Sequence, residues 1–151
     1  MRIAILSSEA VPFAKTGGLA DVSGALTKAL HTEGVDSFLI IPLYDQVDRS
    51  LLSGIFVDDL EVEWRGKRPR IRVWHSDALN APTYLIEASH YFERGKIYGE
   101  VDDFERFAFF CRNLEPPLFL EPVDAPLTEQ VASSPIILVL GVGCRAGMTL
   151  L

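Results

Sequence analysis

Apolar and polar positions form two kinds of segment in the first forty residues. Residues 2–8 have a compact apolar centre, which is typical of a buried parallel strand that ends at a loop. After two glycines, apolar residues recur at helical spacing until Gly34, which predicts an amphipathic helix with the stripe Leu19, Val22, Ala25, Leu26, Ala29 and Leu30. Residues 37–42 are again a compact apolar run. This order predicts an α/β fold, a Rossmann-like doubly wound parallel sheet with right-handed crossovers.

Residues 55–77 show alternation instead of compact runs. Apolar residues flank a turn at 65–67, which predicts a β-hairpin inserted after the first strand–helix–strand unit. Trp64 and Trp74 are expected to face each other across this hairpin and to pack as a cross-strand pair. Residues 83–88 are a further strand candidate, bounded by Pro82 and by a polar segment.

A second helix is predicted after Asp102. Acidic residues in its first turn suit the positive end of a helix, and this role is the one expected for Asp103. Arg106 is expected to form only a surface ion pair with Asp102, four residues earlier. The spacing predicts an apolar face made of Phe104, Phe107, Ala108 and Cys111.

Beyond the second helix the chain changes character. Five prolines fall between 116 and 135, a density that helices do not tolerate. We therefore predict a domain at residues 1–112 and a proline-rich tail at 113–151, in which residues 135–142 are able to add to the sheet as a strand. The glycines at 141 and 143 imitate a dinucleotide fingerprint, but no acidic residue follows at the required distance, so we interpret them as chance.

Composition narrows the possible partners. The chain has 151 residues, 48% of them hydrophobic, and a formal net charge of -7, which indicates a folded acidic protein and argues against a nucleic-acid partner. Its two cysteines, Cys111 and Cys144, form no metal-binding pattern, so no metal is expected. The apolar run at the start is too short for a secretory signal or a membrane span, which favours a cytoplasmic protein without a membrane partner.

Candidate chemistry is concentrated between the first strand and the first helix. Gly17 and Gly18 allow the backbone to approach a ligand closely, and the amides that open the helix point at the same place. Lys15 adds a cation, Thr16 a hydroxyl donor, and the carboxylates are Glu9 and Asp21. This combination predicts a site for a diphosphate that carries a sugar. The alternative is an ordinary glycine turn beside a solvated lysine.

The segment at 15–22, KTGGLADV, resembles the signature of bacterial glycogen synthases and plant starch synthases. The resemblance covers about residues 1–112 and continues through Ser8 and Glu9, the Pro-Leu-Tyr at 42–44, Tyr98 with Gly99, and 102–110. It implies the N-terminal domain of a two-domain GT-B glycosyltransferase. The implied reaction is retaining transfer of glucose from ADP-glucose to the non-reducing end of an α-1,4-glucan, without metal or cofactor.

The resemblance also implies roles for individual residues. Lys15 and the backbone of Gly17 and Gly18 are expected to meet the phosphates of ADP-glucose, with Thr16 and Glu9 as further substrate-binding residues. Asp21 and Asp102 are expected to be catalytic residues beside the transferred sugar or the acceptor.

The resemblance ends after Arg112. The family's His-Asp-Trp-His segment and its second domain have no counterpart in residues 113–151, so we expect a truncated, frameshifted or fragmentary form of the enzyme. Such a chain is expected to have negligible synthase activity by itself. The alternative function is a non-catalytic module that binds a sugar nucleotide or a glucan. The oligomeric state is left open.

Overall fold

The computed structural model describes residues 2–112 and the strand at 136–140. In that part of the chain six strands form one sheet: β1 (Arg2–Ser7), β2 (Asp36–Pro42), β3 (Gly54–Glu61), β4 (Arg70–Ser76), β5 (Thr83–Glu87) and β6 (Ile136–Leu140). The helices are α1 (Gly18–Thr32), α2 (Ser89–Phe92), α3 (Asp103–Arg112) and a 3-10 turn at Arg49–Leu51. The proline-rich segment and the terminal glycines lie outside the described residues, so the proposed domain boundary stays a prediction.

The sheet is a mixed, Rossmann-like α/β sheet. Its strand order is β3-β4-β5-β2-β1-β6, and the four strands β5, β2, β1 and β6 run parallel to one another. β4 runs antiparallel to both β3 and β5. The structure confirms the predicted strands at the start of the chain, at 37–42 and at 83–88. It also confirms that the apolar run after Pro135 adds to the sheet, beside β1.

The core is centred on the parallel strands. Ile5 of β1, Leu39 and Ile41 of β2, and Leu85 of β5 are all fully buried. Strands covered on both faces need nearly continuous apolar sequence, which explains the compact runs seen in β1 and β2. Each such side chain contributes roughly 1.5–3 kcal/mol on burial, so these strands form the rigid base of the loops that follow them.

The prediction for the buried face of α1 was right only in part, because Leu26 and Leu30 of the predicted stripe are partly buried against the core but are not its most buried residues. The buried residues are small and mostly polar, namely Ala20, Ser23, Gly24 and Thr27, whereas Val22 of the predicted stripe is 56% exposed. Small residues are needed because the helix packs very closely against the preceding loop. A Cβ atom at Gly24 would lie 2.8 Å from the backbone oxygen of Val11. The hydroxyls on this face donate to helix carbonyls, so they are not left unsatisfied.

The predicted tryptophan pair was wrong. Trp74 lies opposite Ile55 in the pairing of β4 with β3. Trp64 lies beyond β3 in a tight turn, where it pairs with Lys67 and its ring packs against that of Phe109 with 5.8 Å between centroids. The Nε1 of Trp74 instead donates to Glu87 at 2.6 Å. The hydrophobic alternation located both strands, but Trp64 stands beside the turn and Trp74 farther along β4, so the two are not opposite each other.

The predicted face of α3 needs a similar correction. Phe104 is 68% exposed, whereas the residues buried on this helix are Arg106, Phe107, Phe109 and Phe110. Arg106 is fully buried, and its ion pair is with Asp103 rather than with Asp102. The helix therefore turns a charged side chain toward the core, which apolar periodicity does not reveal.

Candidate functional site

The candidate site lies at the carboxyl end of β1. β1 has β2 on one side and β6 on the other, and α1 connects β1 to β2. The strand order of the sheet therefore reverses at β1. In open α/β sheets the crevice at such a reversal is the usual place for a ligand. Residues 8–17, which follow β1 and lead into α1, line this end of the strand.

Glu9 is a buried carboxylate held by uncharged groups. Its side chain belongs to a residue only 3% exposed, and its Oε2 accepts hydrogen bonds from the backbone N–H of Thr16 and, at 2.7 Å, from the Thr16 hydroxyl. No ion pair involves Glu9 in the described part of the chain. Hydrogen bonds to a carboxylate are stronger than those between neutral groups. Glu9, at the start of the loop, therefore holds Thr16 near its end.

Lys15 and Asp21 form an ion pair at the surface of this loop. The Nζ of Lys15 donates to both carboxylate oxygens of Asp21, at 2.7 and 2.8 Å. The two side chains are 50% and 55% exposed. Exposed pairs contribute only about 0.2–1 kcal/mol, so a ligand anion can replace Asp21 on Lys15 at little cost.

The N-terminus of α1 is open beside this pair. Gly17 is the N-cap and offers no side-chain cap, and a Cβ at Gly18 would have nothing within 4 Å. The first amides of a helix carry a partial positive charge and have no partner inside the helix. An anion above Gly18 would therefore meet backbone donors without a steric barrier.

Two tyrosines that the sequence did not nominate hold the loop. The Tyr44 hydroxyl donates to the carbonyl of Ser8 at 2.7 Å, and the Ser8 hydroxyl and the Tyr98 hydroxyl are 2.6 Å apart. Burial raises the pKa of Tyr44 well above its usual value and also raises the pKa of Tyr98. Both residues fall in segments that carry the family resemblance, which was the available signal.

Asp102 lies in a different group of contacts. Arg94 donates to Asp102 through a fork, with distances of 3.0 and 2.9 Å to its two carboxylate oxygens. Within residues 2–112, no hydrogen bond or ion pair joins Asp102 to the β1–α1 loop. The structure thus brings together six of the seven predicted site residues, which are Glu9, Lys15, Thr16, Gly17, Gly18 and Asp21.

Two further classes of site were sought in the described residues. Across 2–112, no group of three or more His, Cys, Asp or Glu side chains is placed to hold a metal ion. None of the helices that the structure describes has the length and apolar character needed to cross a membrane.

A family model described as the starch synthase catalytic domain matches residues 2–115 of this chain. The chain belongs to this family. Similar relatives include the glycogen synthases of Streptococcus equi subsp. zooepidemicus, 44% identical over 115 residues, and of Geotalea daltonii, 40% identical over 122 residues. These alignments cover 73% and 76% of this chain.

A solved member of the starch synthase family has a similar fold. The catalytic domain of starch synthase IV from Arabidopsis thaliana, bound to ADP and acarbose, matches with a TM-score of 0.68 and 34% identity. The match covers 74% of this chain but 24% of that one, and the two glycogen synthases are covered over 23% and 25% of their length. The chain thus spans about a quarter of the relatives it matches.

Proposed function

We propose that this chain is the donor-binding part of an ADP-glucose-dependent glucan synthase. The reaction would be retaining transfer of glucose from ADP-glucose to the non-reducing end of an α-1,4-glucan, in a protein of the two-domain GT-B type. The observation that carries the proposal is the convergence of Lys15, the uncapped N-terminus of α1 and Glu9 at the carboxyl end of β1. The ADP bound by the similar starch synthase supports the same ligand class.

Each residue of the loop has a chemical task in this proposal. Lys15 and the amides at Gly17 and Gly18 would bind the two phosphates, which are the strongest anions in the substrate. Glu9 keeps acceptor capacity for a sugar hydroxyl, because Thr16 occupies its Oε2, and its Oε1 lies 4.0 Å from the Cβ position of Gly17. Asp21 would lie beside the transferred glucose once phosphate has replaced it on Lys15.

Asp102 is proposed as a second carboxylate near the sugar or the acceptor. Its fork with Arg94 orients the carboxylate but leaves it 35% exposed, so a hydroxyl of the glucan can reach it. No metal or cofactor has a task in this scheme, in which Lys15 and the helix amides meet the charge of the leaving diphosphate.

Transfer requires the donor to be held between two domains. Positioning and charge stabilisation supply most of the rate in such reactions, so the chain alone should incorporate negligible glucose from labelled ADP-glucose into glycogen. The measurement is a filter assay on the purified 151-residue protein. A rate close to that of a full-length homologue would contradict this expectation.

The proposed donor site is tested with Lys15→Ala in a fusion that restores the second domain of a relative. Loss of one charge-assisted contact should weaken ADP-glucose binding by roughly 1.5–3 kcal/mol, or about ten- to 150-fold, in a calorimetric titration. Lys28→Ala, which removes an exposed lysine within α1 and away from the loop, is the matched control and should bind normally. Equal affinities for the Lys15 and Lys28 variants would remove Lys15 from the site.

The comparisons favour the enzyme over the non-catalytic module, because the curated relatives are glycogen synthases. The glucan acceptor and the cytoplasmic location are part of the proposal. The filter assay on the fusion separates the two functions, since a non-catalytic module that binds a sugar nucleotide or a glucan would transfer no glucose.

A further inference from the structure

A buried guanidinium lies close to the candidate site but is not part of it. Arg106 of α3 is fully buried, and its Nε donates to the carbonyl of Tyr91 at 2.6 Å. Its guanidinium carbon is 5.4 Å from the ring centre of Phe107 and 6.0 Å from that of Phe92. A cation held between aromatic rings and a carbonyl has almost no freedom to move, so it is a fixed point in the fold.

Asp103 connects this fixed point to the preceding loop. One oxygen of its carboxylate accepts from Arg106 Nη1 at 2.8 Å. The same side chain accepts from the backbone N–H groups of Gly99, at 2.7 Å, and Glu100, at 3.2 Å. The carboxylate therefore joins the first turn of α3 to the backbone that immediately follows Tyr98.

Tyr98 carries the connection to the site. Its hydroxyl is 2.6 Å from the hydroxyl of Ser8, and its ring lies 5.7 Å from that of Phe107 on α3. Ser8 precedes the buried Glu9, whose carboxylate holds Thr16. Each step from Arg106 to Glu9 is thus a direct contact or a single peptide bond.

We propose that the Asp103–Arg106 pair is a positioning element for the donor site. It fixes the loop after Tyr98, keeps the Tyr98 hydroxyl on Ser8, and in this way holds the backbone that presents Glu9 and Lys15. This inference rests on the proposed function for its effect on ligand affinity, but its structural part stands without it. A pair that only stabilised α3 would not act on residues 8–16 through Tyr98.

The test is a double-mutant cycle on Tyr98→Phe and Asp103→Ala in the full chain. Amide hydrogen exchange is measured for residues 8–16 relative to β5, which reports global unfolding. Each single variant should speed exchange in the loop about tenfold, the equivalent of one lost hydrogen bond. The double variant should be no faster than the faster single variant, because both changes break the same connection.

Two control variants keep the result interpretable. Glu105→Ala removes a neighbouring carboxylate of α3 that pairs with Arg65, and it should leave the loop unchanged. Asp103→Asn keeps one oxygen, which can accept from Arg106 and Glu100 at the place of Oδ1 while the amide of Gly99 loses its acceptor. It should therefore speed loop exchange less than Asp103→Ala, and it provides the measurement if Asp103→Ala opens the whole domain. Loop exchange at the parental rate in both Asp103 variants, or additive effects in the double variant, would overturn the proposal.

ADP titration gives a second readout. If the chain binds ADP, Tyr98→Phe and Asp103→Ala should each raise the dissociation constant about three- to tenfold, again without additivity. Failure of the parental chain and of its domain-restored fusion to bind ADP would count against the proposed function. The exchange cycle would still decide whether Asp103 positions the loop.

Discussion

The molecule contains two ion pairs of almost the same length in very different surroundings. Lys15 and Asp21 are 2.7 Å apart with both side chains about half exposed. Arg106 and Asp103 are 2.8 Å apart, with side chains 0% and 29% exposed. The two distances are nearly equal, so the pairs differ mainly in how far their side chains are buried. The first pair can exchange partners with water or a ligand, whereas the second has no substitute for either partner.

This difference suits what lies beside each pair. The exposed pair stands at the open N-terminus of α1, where the phosphate of the proposed ligand would need a cation that can exchange its partner. The buried pair stands at the beginning of α3, where Asp103 also fastens the backbone of Gly99. A site that binds and releases a ligand needs both kinds of contact, one that changes and one that does not.

The largest effect is expected from Arg106→Met. The variant keeps most of the apolar stem but removes the guanidinium that donates to Asp103 and to the Tyr91 carbonyl. This loss should lower the free energy of unfolding by about 3–5 kcal/mol. Urea denaturation measures the loss. Arg72→Met is the matched control, because Arg72 pairs with Asp58 at 2.7 Å but is 42% exposed, and it should lose less than about 1 kcal/mol. Equal losses would show that burial does not distinguish the pairs.

The second-largest effect is expected where α1 packs against the loop that carries Lys15. In Gly24→Ala the new methyl would lie 2.8 Å from the Val11 carbonyl, so α1 and the loop must separate, at about 1–3 kcal/mol. Gly18→Ala adds a methyl in open space and should leave stability unchanged or slightly higher. Thermal unfolding of the two variants measures the difference. If they unfold alike, the close packing of α1 on the loop is not what holds the loop.

A smaller effect is expected from Tyr44→Phe. The variant loses a buried hydrogen bond to Ser8, which should cost about 1 kcal/mol at pH 7. Burial raises the pKa of Tyr44 well above its usual value, so the unfolded chain releases this proton first as pH rises. The stability that Tyr44 contributes is therefore present below about pH 10 and is lost above it. The gap between the variant and the parent should narrow from pH 7 to pH 10.5, and a constant gap would contradict the assignment.

The sequence predicted the parts of the fold that depend on continuous apolar runs. β1, β2 and β5 were found because strands buried on both faces must be apolar throughout, and the loop after β1 was found because its glycines and Lys15 stand together in the chain. Patterns of this kind are local in the sequence and do not depend on contacts between distant segments. They located the parallel strands and the candidate loop between β1 and α1, whose role in binding stays a prediction.

The sequence could not predict contacts between distant segments. Arg106 looks like a surface residue by its charge, and only the rings of Phe92 and Phe107 and the carbonyl of Tyr91 make its burial tolerable. The tryptophan pairing failed because Trp64 lies beside the turn, where it pairs with Lys67, whereas Trp74 lies farther along β4 and pairs with Ile55. The contact between Tyr98 and Ser8 spans ninety residues and belongs to the same class.

The smallest effect on stability is expected from Asp21→Asn, which removes the charge that occupies Lys15. Because the pair is exposed, unfolding free energy should change by less than about 0.5 kcal/mol. ADP affinity should nevertheless rise about two- to fivefold in the domain-restored fusion, since the phosphates no longer compete with a carboxylate for the ammonium group. Transfer of glucose should fall in the same variant, because Asp21 is proposed to stand beside the transferred sugar. Calorimetric titration with ADP and the filter assay with ADP-glucose measure the two effects separately. Weaker ADP binding by Asp21→Asn would mean that Asp21 orients Lys15 for the phosphates, and the contrast between an exchangeable pair and a fixed pair would then fail.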